Sequence, residues 1–178
     1  MKISQIMQKL LLLAGSNDTQ IRYARKSGVR IGDGCTILGL MDWGSEPYLI
    51  EIGNHVRITS GVRFVTHDGG MHALRMPWDG HEAHPTLDLF GKIKVGNNVF
   101  IGTQSIIMPG VAIGDNVIIG AGSIVTRDIP SNSVACGVPA RVVRTMEEYL
   151  EKAMREGVPT KGMAPEEKRA FLLEHFSD

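Results

Sequence analysis

At 178 residues and 43% hydrophobic content, the chain is long and apolar enough for one domain with a real core. Lys plus Arg equal Asp plus Glu at 19 each, so the balanced charge argues against nucleic acid as the main partner. Two cysteines, Cys35 and Cys136, provide neither a disulfide framework nor a metal-binding spacing and fit a reducing cytoplasm. The longest wholly apolar run, Leu10 to Ala14, falls far short of the ~20 residues a membrane span needs.

Residues 1–26 are expected to be helical, because Ile3, Ile6, Met7, Leu10 and Leu13 recur at spacings of three and four. Lys9 interrupts the run and argues against a signal peptide. The default role of this segment is a cap over an open end of the fold, with membrane-surface contact as the alternative. Arg22, Arg25, Lys26 and Arg30 add a basic cluster that reads as a solvated face.

From Ile31 the chain changes period. Ile31-Gly-Asp-Gly-Cys-Thr opens a six-residue repeat that restarts at Ile37, and Cys35 falls on its inward fourth-after-opener position. The phase then breaks, and Met41 to Leu49, with Trp43, Gly44 and Pro47, is expected to be an outward loop. Repeats resume at Ile52, Ile58 and Phe64. A second break from about Gly69 to Gly91 holds two Gly-rich or Pro-rich turns and His72, His81 and His84; a loop of this length on a compact domain is usually functional.

Val95 to Pro130 is six hexads without a gap, opened by Val95, Ile101, Ile107, Ile113, Ile119 and Val125. Four places after each opener stands a small or aliphatic residue: Val99, Ser105, Val111, Val117, Ser123 and Ile129. Six is not a helical period, and the β-branched content favours strands. Each hexad is one short strand and a corner; three close a coil, and coils stack at about 4.8 Å with the openers inward. Gly and Asn at the corners supply left-handed backbone. Ser131 to Ala140 is expected to be an irregular coil, followed by helices over 145–155 and 165–176, the second with Pro165 in its first turn. The division is therefore a helical cap at 1–27, a repeat prism at 28–144 carrying the loop at about 69–91, and a helical extension at 145–178.

His67 is the leading candidate for chemistry. It is the last repeat residue before the long loop, and imidazole is the side chain suited to taking a proton from a hydroxyl near neutral pH. Asp68 either orients it or serves the turn. A metal site is the rival use of the histidines. His67 and His72 are five apart and His81 and His84 three apart, whereas His55 and His67, 12 apart, fall on different faces of an 18-residue coil.

The stretches Phe64-Val-Thr-His-Asp-Gly-Gly, Gly91-Lys-Ile-Lys-Val-Gly-Asn-Asn-Val-Phe-Ile-Gly, Ile107-Met-Pro-Gly-Val-Ala-Ile-Gly-Asp-Asn, Ile119-Gly-Ala-Gly-Ser-Ile-Val-Thr-Arg-Asp-Ile-Pro and Gly137-Val-Pro-Ala-Arg resemble the hexapeptide-repeat acyltransferases. The similarity is to the branch of galactoside, maltose and exopolysaccharide or lipopolysaccharide O-acetyltransferases, over roughly residues 28–146. It implies an all-β, left-handed parallel β-helix with terminal helices and a protruding loop. It also implies a homotrimer with active sites between subunits, acetyl-CoA as cosubstrate with no metal required, and a sugar or glycan acceptor. By the same resemblance His67 is the catalytic base, and Thr103, Ala121, Thr126, Arg127, Arg141 and Arg144 are the coenzyme A contacts. Sugar-acetylating members often place Pro after the histidine; Asp68 stands there here, as in polysaccharide-modifying members, which leaves the acceptor open. Two other classes use the same prism: a metal-dependent hydratase resembling the gamma-type carbonic anhydrases, and a non-catalytic trimeric scaffold.

Overall fold

A computed structural model of the chain describes residues 15–177. The amino-terminal half of the helix expected over 1–26 lies outside the described residues. The remainder forms α1 (Asn17–Lys26), with Ser16 as its amino-terminal cap. Asn17 anchors this helix to the first coil, its side chain donating to the Cys35 carbonyl at 3.0 Å and accepting from Ile37 N at 2.7 Å.

The repeats build three parallel sheets, one per face of a prism. The first coil holds β1 (Arg30–Ile31) and β2 (Thr36–Ile37). The second holds β3 (Ile50–Ile52), β4 (Arg57–Ile58) and β5 (Arg63–Phe64); the third, β6 (Ile93–Val95), β7 (Val99–Ile101) and β8 (Ile106–Ile107). The fourth holds β9 (Ala112–Ile113), β10 (Val117–Ile119) and β11 (Ile124–Val125). They are followed by β12 (Ser133–Gly137) and β13 (Ala140–Thr145). The sheet orders are β1-β3-β6-β9, β2-β4-β7-β10-β12-β13 and β5-β8-β11, and every pair is parallel except β12–β13.

The hexad arithmetic explains the core. Ile101, Ile107, Ile119 and Val125 have no exposed surface, and the fourth-after-opener residues Val62, Ser105 and Ser123 have none either. Fully burying each such aliphatic side chain is worth about 1.5–3 kcal/mol, so stacking coils supplies what no single coil could. The buried serines satisfy themselves on backbone: Ser105 and Ser123 hydroxyls both donate to the Gly120 carbonyl, at 3.0 and 2.6 Å. At one corner Gly34, His55, Asn98, Asn116 and Asn132 all take positive φ, between 53° and 67°. The three asparagine side-chain amides form a ladder, Asn98 donating to Asn116 at 2.8 Å and Asn116 to Asn132 at 2.9 Å.

Two expectations are corrected. The outward loop does not begin at Met41. Asp42 pairs with Arg63 as a parallel bridge, and Trp43, 7% exposed, stacks on Phe64 with ring centroids 5.1 Å apart. Trp43 is six residues after Ile37, so the period continues through an aromatic opener and the loop starts at Gly44. Ser131 to Ala140 is not irregular either. Ser133–Gly137 extends the second sheet beside β10, with Val134 and Ala135 buried, and β13 folds back on it antiparallel.

The carboxy-terminal helices form close to where they are expected. They are α2 (Met146–Glu156), entered through a Thr145/Glu148 capping box, and α3 (Pro165–His175), with Pro165 in its first turn.

Candidate active site

His67 follows β5 at the foot of the long insertion. There the chain leaves and re-enters the prism as an antiparallel pair: His67 bridges Phe90, Asp68 N donates to the Leu89 carbonyl at 2.8 Å, and Gly91 N donates to the Thr66 carbonyl at 2.9 Å. The foot fits because residue 91 is glycine; a Cβ there would fall on the backbone of Pro109 and Gly110. Between these ends residues 69–90 carry no buried side chain, a short 3₁₀ segment at Gly69–Arg75, and a turn in which Trp78 stacks on His81 at 4.4 Å.

The His67 side chain is 44% exposed. Its Nδ1 lies 3.1 Å from Glu46 Oε2 and 3.1 Å from Ser45 Oγ. Thr66, completely buried, donates its hydroxyl to the same Glu46 oxygen at 2.7 Å. Glu46 is itself largely covered, its side chain 16% exposed. The Thr66 hydroxyl, with smaller contributions from the His67 ring and Ser45, holds its carboxyl below the usual carboxylate range despite the opposing effect of burial. The Phe90 ring stands 6.0 Å from the imidazole, tilted by 59°. The Nε2 of His67 makes no hydrogen bond among the described residues.

Asp68 does not share this cluster. Its carboxylate accepts from Gly70 N at 2.8 Å and caps the 3₁₀ segment, so of its two expected roles the structure gives it the turn. Glu46 escapes a reading of the sequence for a simple reason. The first two coils are offset by 21 residues rather than 18, as Ile31↔Ile52 and Ile37↔Ile58 show. On that offset Glu46 lies directly beneath His67. The signal was Trp43: read as an opener facing Phe64, it carries the register to Glu46.

The other candidate residues lie in three places. Thr103 and Ala121, both exposed and 18 residues apart, stand one above the other before β8 and β11. The Thr103 hydroxyl lies 3.2 Å from Thr59 Oγ1, and Gly122 N donates to the Thr103 carbonyl at 2.8 Å. Thr126 and Arg127, also exposed, follow β11 on the same edge of the third sheet as His67, two coils further along through the register Phe64↔Ile107↔Val125. Arg141 and Arg144 lie on β13, opposite Cys136 and Val134. Thr103 and Ala121 thus occupy the opposite edge of the third sheet from His67, across a side of six residues that spans up to about 20 Å. His55 sits at the same positive-φ corner as the asparagine ladder, and His81 lies against Trp78. Among the described residues no three His, Cys, Asp or Glu side chains are placed to hold one metal ion.

Residues 92–127 match the family model described as bacterial transferase hexapeptide (six repeats). Protein CapG of Staphylococcus aureus is 46% identical over 174 residues, which cover 97% of this chain and 98% of CapG. Galactoside O-acetyltransferase of Escherichia coli (strain K12) is 42% identical over 104 residues, 58% of this chain and 47% of that protein. Two solved structures superimpose at 28% identity. A maltose O-acetyltransferase from Clostridium difficile 630 gives a TM-score of 0.57 over 77% of this chain and 81% of that one. A galactoside acetyltransferase in complex with coenzyme A gives 0.52 over 82% of each. These likenesses give the prism the left-handed turn of that group.

Proposed function

The chain belongs to the hexapeptide-repeat acyltransferases, and from that premise we propose that it transfers acetyl from acetyl-CoA to a hydroxyl of a sugar or of a polysaccharide or lipopolysaccharide precursor, with His67 as general base. The observation that carries this reading is the state of His67. Its ring is held through Nδ1, its Nε2 has no hydrogen-bond partner among the described residues, and the side chain is 44% exposed.

In this mechanism the acceptor oxygen attacks the thioester carbonyl carbon while Nε2 takes the hydroxyl proton. The C–O bond forms, the tetrahedral centre collapses, the C–S bond breaks, and the imidazolium returns its proton to the departing thiolate. General-base assistance is typically worth ~10²–10⁴-fold, and alignment of the two substrates supplies a further large part.

For the donor, Ala121 offers a small side chain on which the pantetheine arm lies flat, with Thr103 below it. Arg127, Arg141 and Arg144 are cations for the coenzyme A phosphates, with Thr126 beside Arg127. Thr103 and Ala121 lie a full prism side from His67 within one chain. That separation supports a homotrimer in which the base of one subunit and the pantetheine contacts of the next complete each site. The likeness to galactoside and maltose O-acetyltransferases supports a sugar hydroxyl as acceptor, while Asp68 in place of Pro after the histidine favours a polysaccharide or its precursor over a free sugar.

The test is thiol release from acetyl-CoA across sugars, nucleotide sugars and oligosaccharides, with His67→Ala alongside. Acceptor-dependent release that the variant loses is the expected result. Release at the wild-type rate in the variant removes His67 from the role, and neither release nor thermal stabilisation by acetyl-CoA overturns the whole reading.

A further inference from the structure

The chemistry of His67 depends on which ring nitrogen carries the proton, and the cluster beneath it bears on that choice. Resting on the reading of His67 as base, we infer that Glu46 is its positioning residue: the carboxylate holds the imidazole with its proton on Nδ1 and so presents the Nε2 lone pair to the acceptor hydroxyl. An ionised carboxylate only accepts hydrogen bonds, so a neutral imidazole 3.1 Å from Glu46 Oε2 through Nδ1 must donate there.

Three features fix the carboxylate itself. Thr66 has one hydroxyl proton and gives it to the same oxygen at 2.7 Å from a fully buried position. Pro47 follows Glu46 at once and starts the 3₁₀ turn Pro47–Leu49, which stiffens the backbone on that side. The coil register, pinned by Asp42↔Arg63 and the Trp43–Phe64 stack, places residue 46 under residue 67. Asp68, the neighbour in sequence, is committed to Gly70 N and leaves this position to Glu46. The Phe90 ring also stands beside the imidazole, 6.0 Å away between centroids. When Nε2 takes the acceptor proton, the imidazolium forms beside the Glu46 carboxylate. Ser45 Oγ, also 3.1 Å from Nδ1, is the rival hydrogen-bond partner, and the experiment separates the two.

The protein is labelled with ring-¹⁵N histidine, and the His67 signals are assigned by their loss in His67→Ala. At a pH where imidazole is neutral, the wild type is expected to show a pyrrole-like Nδ1 and a pyridine-like Nε2. Glu46→Leu is expected to move the population toward the Nε2–H form and to lower kcat about 10- to 100-fold with KM for acetyl-CoA unchanged. Rates are read as thiol release from acetyl-CoA with the acceptor sugar that gives the fastest wild-type rate. Glu46→Gln keeps an acceptor for Thr66 and guards against a folding defect; it is expected to keep the tautomer and lose part of kcat with the charge. Thr66→Val is expected to give a smaller loss than Glu46→Leu, and Ser45→Ala to leave the tautomer in place. A wild-type spectrum and wild-type kcat in Glu46→Leu, with His67→Ala inactive, would overturn this inference alone. Full activity in His67→Ala would instead remove the base assignment on which it rests.

Discussion

The stacked hexads and the two places where they are interrupted follow opposite rules. In the prism every opener from Ile31 to Val125 is at most 8% exposed, and side chains repeat because each stacks on its equivalent one coil away. In the interruptions, residues 44–49 and 68–92, no such stacking partner exists and few side chains are covered. Yet the interruptions meet: the first brings Ser45 and Glu46 to His67, and the second starts immediately after it and returns Phe90 beside it. A regular solenoid fixes positions; a departure from its period is where one side chain can face a different kind of neighbour.

Changes on the two sides should therefore separate stability from transfer. The largest effect on transfer is expected from His67→Ala, about 10²–10⁴-fold in kcat with an unshifted melting temperature, measured by thiol release and thermal denaturation. Ile119→Ala, in the centre of the prism with no exposed surface, should do the reverse. It is expected to cost about 2–5 kcal/mol in denaturant unfolding while kcat per folded molecule stays near wild type. Gly91→Ala blurs the boundary on purpose, because its Cβ would meet the Gly110 backbone at the insertion's foot. It should cost about 1–3 kcal/mol and lower kcat as well, since Phe90 moves with the foot.

These contrasts also explain what could be read from the chain. The unbroken hexads from Val95 to Pro130 announce the prism, because a strict period in apolar residues follows directly from stacking. His67 stands out as the last regular residue before a long insertion. Glu46 does not. Its partnership with His67 depends on a 21-residue first offset that becomes visible only when Trp43 is accepted as an opener, and a bulky aromatic at a usually aliphatic position looks like the start of a loop. Asp68, adjacent in sequence, attracts the orienting role; yet adjacent strand residues face opposite ways, and its carboxylate turns to Gly70 N. Strand β12 was hidden for a related reason: its Val134-Ala-Cys-Gly carries the pairing without the opener pattern.

Two smaller effects sharpen the comparison further. Ala121→Leu should raise KM for acetyl-CoA about tenfold with little change in stability, since the added carbons project from an exposed corner; steady-state kinetics and unfolding check both halves. The smallest concerns pH. The Glu46 carboxyl is held below its ordinary 4.5 chiefly by the Thr66 hydroxyl, so the unfolded chain binds its proton first. The stability this contributes is complete above about pH 4.5 and is lost as pH falls through the lowered value. Glu46→Gln should flatten that acid limb of an unfolding-versus-pH series, and Thr66→Val should flatten it in part.

The most direct test is a single-turnover measurement of acetyl transfer at saturating acetyl-CoA and acceptor, comparing wild type with His67→Ala matched in melting temperature and acetyl-CoA affinity. The account predicts a transfer step slowed by at least about 100-fold with binding intact. An unchanged rate for that step would show that the proton leaves by another route and that the meeting point of the two interruptions is not where transfer occurs.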